Sequence, residues 1–473
     1  MDVVIIGGGI GGLTAALGLG RRGHRVRVLE RDPAPAPVDP EEAFGSWPRR
    51  GVPQWELYHA FQARARRELA QHAPDVLGCL VAAGAEDRDL SWLVADDPRP
   101  HDAELRVLVV RRPVMEWALR TAVADVAGVE VAGGVTATGL AIESGRVTGV
   151  TTNGATECAD VVVDAGGRRS PVRRWLGESG LSVPTPQRSA CGIAYYSRYF
   201  RLLDGVDLPS VHGPVVERGD LGYMGYAIAP GDARTYGVLL AAPADDRGLR
   251  ALGHSEAWDA AAGAIARVAG FVDPAIGVPI MPPAPMHALE NVLTVWAPDG
   301  QPLLAGFVVI GDAWAVTDPL FGWGASLAMA HGFDLAAMLD AQRNDTDGAI
   351  VGFHDRHHEE IRQRFELACE DDRSVAAHWT GQPVTRTDSE IDREALLFAC
   401  TRVARHDGHT RRALLRRTSL LDLPDKLWAD EHVVSQARDE LTRHPFDASR
   451  HTPGPTRAEM LSTIATASRE RRS

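Results

Sequence analysis

The stretch DVVIIGGGIGGLTAALGLGRRGHRVRVLERD, which starts at residue 2, constrains the fold more than any other part of the chain. Val3 to Ile6 is an unbroken apolar run of the kind that forms a strand buried on both faces. Gly7, Gly9 and Gly12 follow at G-x-G-x-x-G spacing, an apolar helix spans about Ile10 to Arg22, and a second strand, Arg25 to Leu29, ends at Glu30. This is a complete βαβ dinucleotide fingerprint. Gly7 makes the tight turn, Gly9 leaves room for a pyrophosphate, and Gly12 lets helix and strand pack closely. Ile10, Gly11 and Gly12 open the helix, whose free N–H groups and positive dipole end favour phosphate. Glu30, followed by Arg31, stands where a carboxylate accepts from ribose hydroxyls.

Composition narrows the setting. The formal net charge is −13, against a nucleic-acid surface and in keeping with a small-molecule partner. A strand beginning at residue 2 predicts no cleavable signal peptide, and no apolar run approaches the ~18 residues of a membrane span. Five scattered cysteines (Cys79, Cys158, Cys191, Cys369, Cys400) read as reduced thiols, so a cytoplasmic location is expected. His354 and His358 share a helix face at i, i+4, but no partner ligands stand at a recognisable spacing and no metal is expected.

Two more strand–turn–helix signals recur downstream. In LLAGFVVIGDAWAVTDPLFGWGASLAMAHGFDLAAML, a strand from Phe307 to Ile310 leads to Gly311-Asp312, a loop with Pro319, Gly322 and Gly324, and a helix from about Ala325 to Leu339. Small residues there let a flat cofactor lie against the backbone. Asp312 is placed to accept from a ribityl hydroxyl, and N–H groups near Gly322 and Gly324 to face a flavin. In ADVVVDAGGRRSPVRRWLG, Asp160 to Val163 read as a strand, Asp164 to Gly167 as a turn, and Ser170 as a helix start.

With all three motifs in this order over residues 1 to 340, the chain resembles the class A FAD-dependent monooxygenases of the aromatic-hydroxylase superfamily. The resemblance implies an α/β fold: a Rossmann-type (GR2-like) FAD-binding domain, a mixed-sheet substrate domain and a helical C-terminal extension. The first motif would hold ADP. Asp164 and Gly166 would serve FAD and the nicotinamide nucleotide, and Gly311, Asp312 and Ala325 the ribityl chain and ring. Pro319, Gly322, Trp323 and Gly324 would frame the oxygen-reactive side. RRPVMEWALRTAV resembles the family helix that sets an arginine, here Arg112, by the FAD. RRGVPQWELYHAF resembles a loop of a bacterial tailoring-oxygenase and epoxidase subgroup, with Arg50 and Gln54 near the flavin. The chain departs from the pattern at Ala165, Trp323 and Ala325-Ser326.

The implied activity inserts one atom of O2, by hydroxylation or epoxidation through a flavin C4a-hydroperoxide, into a small apolar or aromatic natural-product intermediate, with NADH or NADPH as reductant. The expected protein is a monomer or homodimer without nucleic-acid or membrane partners, belonging to secondary metabolism such as antibiotic biosynthesis. A flavin oxidoreductase without oxygen insertion shares all three motifs. A halogenase shares the fold, but that chemistry uses a lysine near the flavin–substrate tunnel, and the one lysine, Lys426, lies outside the motifs. A non-catalytic flavin-binding protein is the remaining alternative.

The expected organisation is a discontinuous FAD-binding domain (1–70, 100–185, 290–340), a substrate domain (71–99, 186–289) and a helical region (341–473). The middle segments alternate apolar and polar residues, as antiparallel strands do, with a turn at Pro230-Gly231-Asp232. Tyr195, Tyr196, Arg198, Tyr223 and Tyr226 are candidate substrate contacts, and with Tyr236 they must divide between two sheet faces. The segment FHDRHHEEIRQRFELACEDDRSVAAHW reads as a long amphipathic helix, His354 on its solvated face, with a break near Asp371. The last seven residues read as frayed.

Overall fold

The computed structural model describes residues 1–52, 54–59, 61–208, 217–297, 303–381, 387–447 and 451–470. Strand β1 (Asp2–Ile6) leads through a glycine turn into helix α1 (Ile10–Gly20), and β2 (Arg25–Glu30) returns parallel to β1. Helix α2 (Arg112–Ala124), β3 (Val129–Gly133) and β4 (Val161–Asp164) follow. Residues 137–158 form a small antiparallel sheet on the way.

The chain then builds a second, antiparallel sheet. It contains β5 (Ile193–Leu202), β6 (Glu217–Asp220), β7 (Gly225–Pro230) and β8 (Thr235–Pro243), with α3 (Ser255–Ala264) across one face. Finally β9 (Phe307–Val309) rejoins the first sheet, giving a parallel order β9-β4-β1-β2-β3. The strands of β1 and β4 are almost wholly buried, so the central ladder carries no polar alternation.

Helix α4 (Trp323–Ala341) lies against α1 through small residues. A Cβ at Gly332 would stand 2.2 Å from Thr14 Oγ1, and one at Gly18 2.7 Å from Ala336 Cβ. The approach is as close as glycine permits.

Helix α5 (Thr346–Thr380) runs 35 residues without the break expected near Asp371. The sequence has no glycine or proline there, and the buried Asp372 finds a partner off the helix in Asn291, so nothing opens the turn. His354, assigned by pattern to a solvated face, is buried against Trp314 with ring centroids 4.6 Å apart.

Helices α6 (Asp388–Val403), α7 (Gly408–Thr418) and α8 (Glu431–Arg443) complete the helical region. The last helix, α9 (Arg457–Glu470), buries Met460 and Ile464 in the core shared with α3. Residues 467–470 are therefore helical rather than frayed, and 471–473 lie outside the described residues. Among the described residues no helix is long and apolar enough to cross a membrane.

The two sheets are joined by a buried charge pair that pattern reading missed. Arg111, at the start of α2, donates from its backbone N–H and its Nε to Asp232 Oδ1, both at 2.8 Å. Asp232 belongs to the turn between β7 and β8.

Candidate functional site

A single cleft runs from the α1 N-terminus to the second sheet. It encloses about 1830 Å³ free of protein atoms, counted to its open mouth.

The glycines at its nucleotide end do three different jobs. Gly7 sits at φ +100°, and a Cβ there would meet Ala165 O at 2.5 Å. Gly12 does not line the cleft; its Cβ would fall 2.0 Å from Gly7 O, so it is a packing glycine. Gly9 caps α1 without a side-chain hydrogen bond and has nothing within 4 Å of its Cβ position. That open space, at an uncapped helix N-terminus lined by Gly8, Gly9, Ile10 and Gly11, is a ready phosphate cradle.

Glu30 lines the cleft at the end of β2. Its Oε2 accepts from Gly8 N (3.0 Å) and its Oε1 from Asp32 N (2.9 Å). Arg49, not Arg50, is the arginine of this site. Arg49 NH1 lies 3.0 Å from Glu30, NH2 lies 3.1 Å from Glu116, and NH2 also donates to Gly8 O at 2.8 Å. Burial opposes its charge, and the Glu116 and Glu30 carboxylates outweigh that, raising its pKa above the ordinary arginine value. Arg50 points to solvent. Two adjacent arginines are indistinguishable by pattern; the fold buries Arg49 and leaves Arg50 exposed. Arg31 and Gln54 line the cleft, Arg31 donating to Gly51 O at 3.0 Å. Gln54 Oε1 is buried without a partner, which is what a polar ligand would satisfy.

Further in, Arg112 lines the cleft, donates to Glu116 at 2.8 Å and reaches His59 Nε2 at 3.2 Å. The other ring nitrogen of His59 faces Leu57 O at 2.8 Å, which assigns it the proton. Burial and then the Arg112 charge push His59 down to about 3, so it is neutral. Burial raises the Asp312 carboxyl, with Arg112 and Arg168 pulling the other way.

Asp164 is not at the surface of the cleft. It accepts from Gly166 N (2.9 Å) and Ser170 Oγ (2.6 Å), and burial lifts it to about 6. It shapes the turn that presents Gly166, Gly167, Arg168 and Arg169 to the cleft. The two arginines were not singled out beforehand.

The third motif closes the far side. Gly311 sits at φ +60° and donates from N–H to His331 Nδ1 at 3.2 Å. His331, His354 and His357 pack together behind it, a backing that its distant sequence positions concealed. Pro319 starts a 3-10 turn, and Gly322 at φ +63° caps α4, again with no side-chain cap. Gly311, Asp312, Pro319, Gly322, Trp323, Gly324 and Ala325 all line the cleft. Trp323 is also a core residue: it stacks on Phe321 at 4.3 Å, and Arg364 lies 5.0 Å from its ring.

The second sheet supplies less of the cleft than its tyrosines suggest. On β5, Tyr196 and Arg198 face α3; Arg198 pairs with Asp259 and lies 5.6 Å from the Trp258 ring. Tyr226 belongs to the same core, as does Tyr223, whose hydroxyl donates to Pro455 O at 3.0 Å. Tyr236 stacks on Phe200 in that core. These residues do not reach the cleft: strand periodicity puts Tyr196, Arg198, Tyr226 and Tyr236 on the covered face, and Tyr223 packs into the same core from the bend before β7. Tyr195, on the opposite face, stands one residue back from the cleft and donates to Asp318 at 2.6 Å. The wall itself is Leu57, Tyr58, Cys191, Met286, Leu289 and Asp318.

Comparison with known proteins agrees with this geometry. The family model for FAD dependent oxidoreductases matches residues 2–107. Protein Rv3254 of Mycobacterium tuberculosis is 28% identical over 375 residues, covering 74% of this chain and 75% of the relative. The FAD-dependent monooxygenase SAT7 of Stachybotrys chartarum is 26% identical over 348 residues, 67% of this chain and 65% of that protein, just under two thirds of its length. The crystal structure of pqsL, a probable FAD-dependent monooxygenase from Pseudomonas aeruginosa, superposes with a TM-score of 0.58 at 18% identity over 80% of this chain and 98% of that one, a likeness of fold. A flavin-dependent halogenase shares the fold as well. Cradle, cleft and kinship converge: residues 2–107 match the FAD dependent oxidoreductase family, and the chain as a whole is similar to FAD-dependent monooxygenases.

Proposed function

We propose that this protein is an FAD-dependent monooxygenase that draws electrons from NADH or NADPH and places one oxygen atom of O2 on a small apolar or aromatic natural-product intermediate. The observation that carries the reading is the continuity of the cleft. A polar, backbone-lined nucleotide half passes without a partition into an apolar half walled by Leu57, Tyr58, Met286, Leu289 and Trp323.

In this reading the α1 N-terminus holds the pyrophosphate, Glu30 the ribose, and Arg112, Asp312 and the uncapped first turn of α4 the remainder of FAD. Bound flavin supplies the exchange of electrons with nicotinamide and O2. The chain's own part is to hold the substrate against the apolar wall and to keep water away from it. Lys426 is tied to Asp422 at 2.9 Å and is not part of the wall, which favours oxygenation over halogenation.

The test is turnover of a candidate substrate under 18O2 with NAD(P)H. One labelled atom in product is the expected result. Unlabelled product formed with hydride consumption in the absence of oxygen would establish a reductase instead.

A further inference from the structure

Four segments far apart in sequence meet at the substrate wall and bring Cys191, Tyr195, Asn291, Asp318 and Asp372 together. Both carboxyl groups are buried, Asp318 at 1% and Asp372 at 2% exposure. Asp318 Oδ1 accepts from the Tyr195 hydroxyl (2.6 Å) and from Leu320 N (2.7 Å). Asp372 Oδ2 accepts from Asn291 Nδ2 (2.7 Å), while Asn291 Oδ1 accepts from Asp318 N (2.7 Å), which fixes the amide's orientation.

One oxygen on each carboxyl remains, Asp318 Oδ2 and Asp372 Oδ1, and each is buried without a partner. The Cys191 thiol completes the group, and the three side chains bring their reactive atoms within 4.8 Å of one another. Among the described residues no cation forms an ion pair with either carboxyl. The other titratable neighbours are Tyr195 on β5 and Cys369 and Asp371 on α5. Charges close by are already matched: Glu290 by Arg188, and Arg373 by Glu390.

Two buried carboxylates this close repel if both are ionised. A single proton shared by the two carboxyl groups removes one charge and supplies a donor where buried acceptors lack one. Burial raises Asp318, and raises Asp372 to about 8. Asp318 and Cys191 line the cleft, whereas Asp372 stands behind them.

We infer that Asp318 and Asp372 hold one proton between them at neutral pH and form the acid–base pair of the substrate side of the cleft, Asp318 exchanging a proton with an oxygen or nitrogen substituent of an otherwise apolar ligand. When the Asp318 carboxyl takes the ligand's proton, the shared proton passes fully to Asp372 and the electron pair of the broken bond stays on the ligand heteroatom. The carboxyl pair then carries two protons and no charge, the state that burial favours. Return of the proton restores the starting pair. The ligand's identity as a substrate rests on the proposed function; the shared proton does not.

Infrared difference spectroscopy of the purified FAD holoenzyme tests it. At neutral pH the carbonyl stretch of a protonated carboxylic acid should be present, should shift promptly in D2O, and should disappear in Asp318→Asn and Asp372→Asn. Tyr195→Phe, which keeps the ring, should move the band and covers the case in which an Asn variant fails to fold. Absence of the band in the wild type overturns the inference. So does a band that exchanges only as slowly as core amides, since the pair would then be sealed from the cleft. A stoichiometric divalent cation removable by chelator overturns it as well. The measurement needs no turnover, so a protein that shows the band but incorporates no 18O loses the oxygenase reading and keeps the pair.

Discussion

The two ends of the cleft are built in opposite ways. The nucleotide end is backbone: a glycine turn and a helix N-terminus supplied by some thirty consecutive residues. The substrate wall is side chains: Cys191, Met286, Leu289 and Asp318, supported by Tyr195, Asn291 and Asp372 from separate elements. A backbone cradle tolerates almost any side chain that points away and no side chain that points in. A side-chain wall depends on distant partners, so its chemistry is set by packing.

The largest effect should separate two glycines of one motif. Gly12→Val puts a Cβ 2.0 Å from a backbone carbonyl and should abolish folding, whereas Gly9→Val enters open space and should leave a folded protein without FAD. Circular dichroism with flavin absorbance distinguishes them. A flavin-loaded Gly9→Val would break the claim that this end is backbone-lined.

Next, Arg49→Ala removes the cation between Glu30, Asp32 and Glu116 and should cost about 3–5 kcal/mol in denaturant unfolding. Arg50→Ala, at the surface, should stay within about 0.5 kcal/mol. Equal effects would show that the inward arginine has been misassigned.

Acid should weaken the backing of the third motif. Burial, then the nearby His357 and His358, lower His354 from 6.5 to about 4. Between those values the unfolded chain binds a proton that the native protein does not. Stability is therefore complete above pH 6.5 and falls as pH drops, by about 3 kcal/mol at pH 4. His354→Gln should flatten that slope in unfolding titrations, and an unchanged slope would remove His354 from the account.

The smallest contrast concerns two tyrosines on opposite sheet faces. Tyr195→Phe deletes a hydrogen bond to a carboxylate and should cost roughly 1.5–3 kcal/mol. Tyr226 has a buried hydroxyl without a partner, so Tyr226→Phe should be neutral or slightly stabilising. Reversal of that order in thermal melts would mean the covered and cleft-facing sides of the sheet have been exchanged.

Local interactions made the nucleotide end readable in advance. Buried strands β1 and β2, the glycine spacing and Glu30 lie within one supersecondary unit, and each residue's role follows from its neighbours in sequence. The same holds for Gly311, Asp312 and the loop from Pro319 to Gly324, which the structure also brings to the cleft. Neighbour relations across the fold were not readable. Pattern alone could not choose Arg49 over Arg50 or keep α5 continuous through Asp371, nor set Asp164 behind its turn and Tyr196, Tyr223 and Tyr226 on the covered face. The sequence by itself therefore determined the dinucleotide cradle and the class of cofactor, because backbone conformation is dictated over short spans. Only the tertiary structure decided which carboxylates are buried together, because desolvation and pairing depend on segments as far apart as residues 191 and 372.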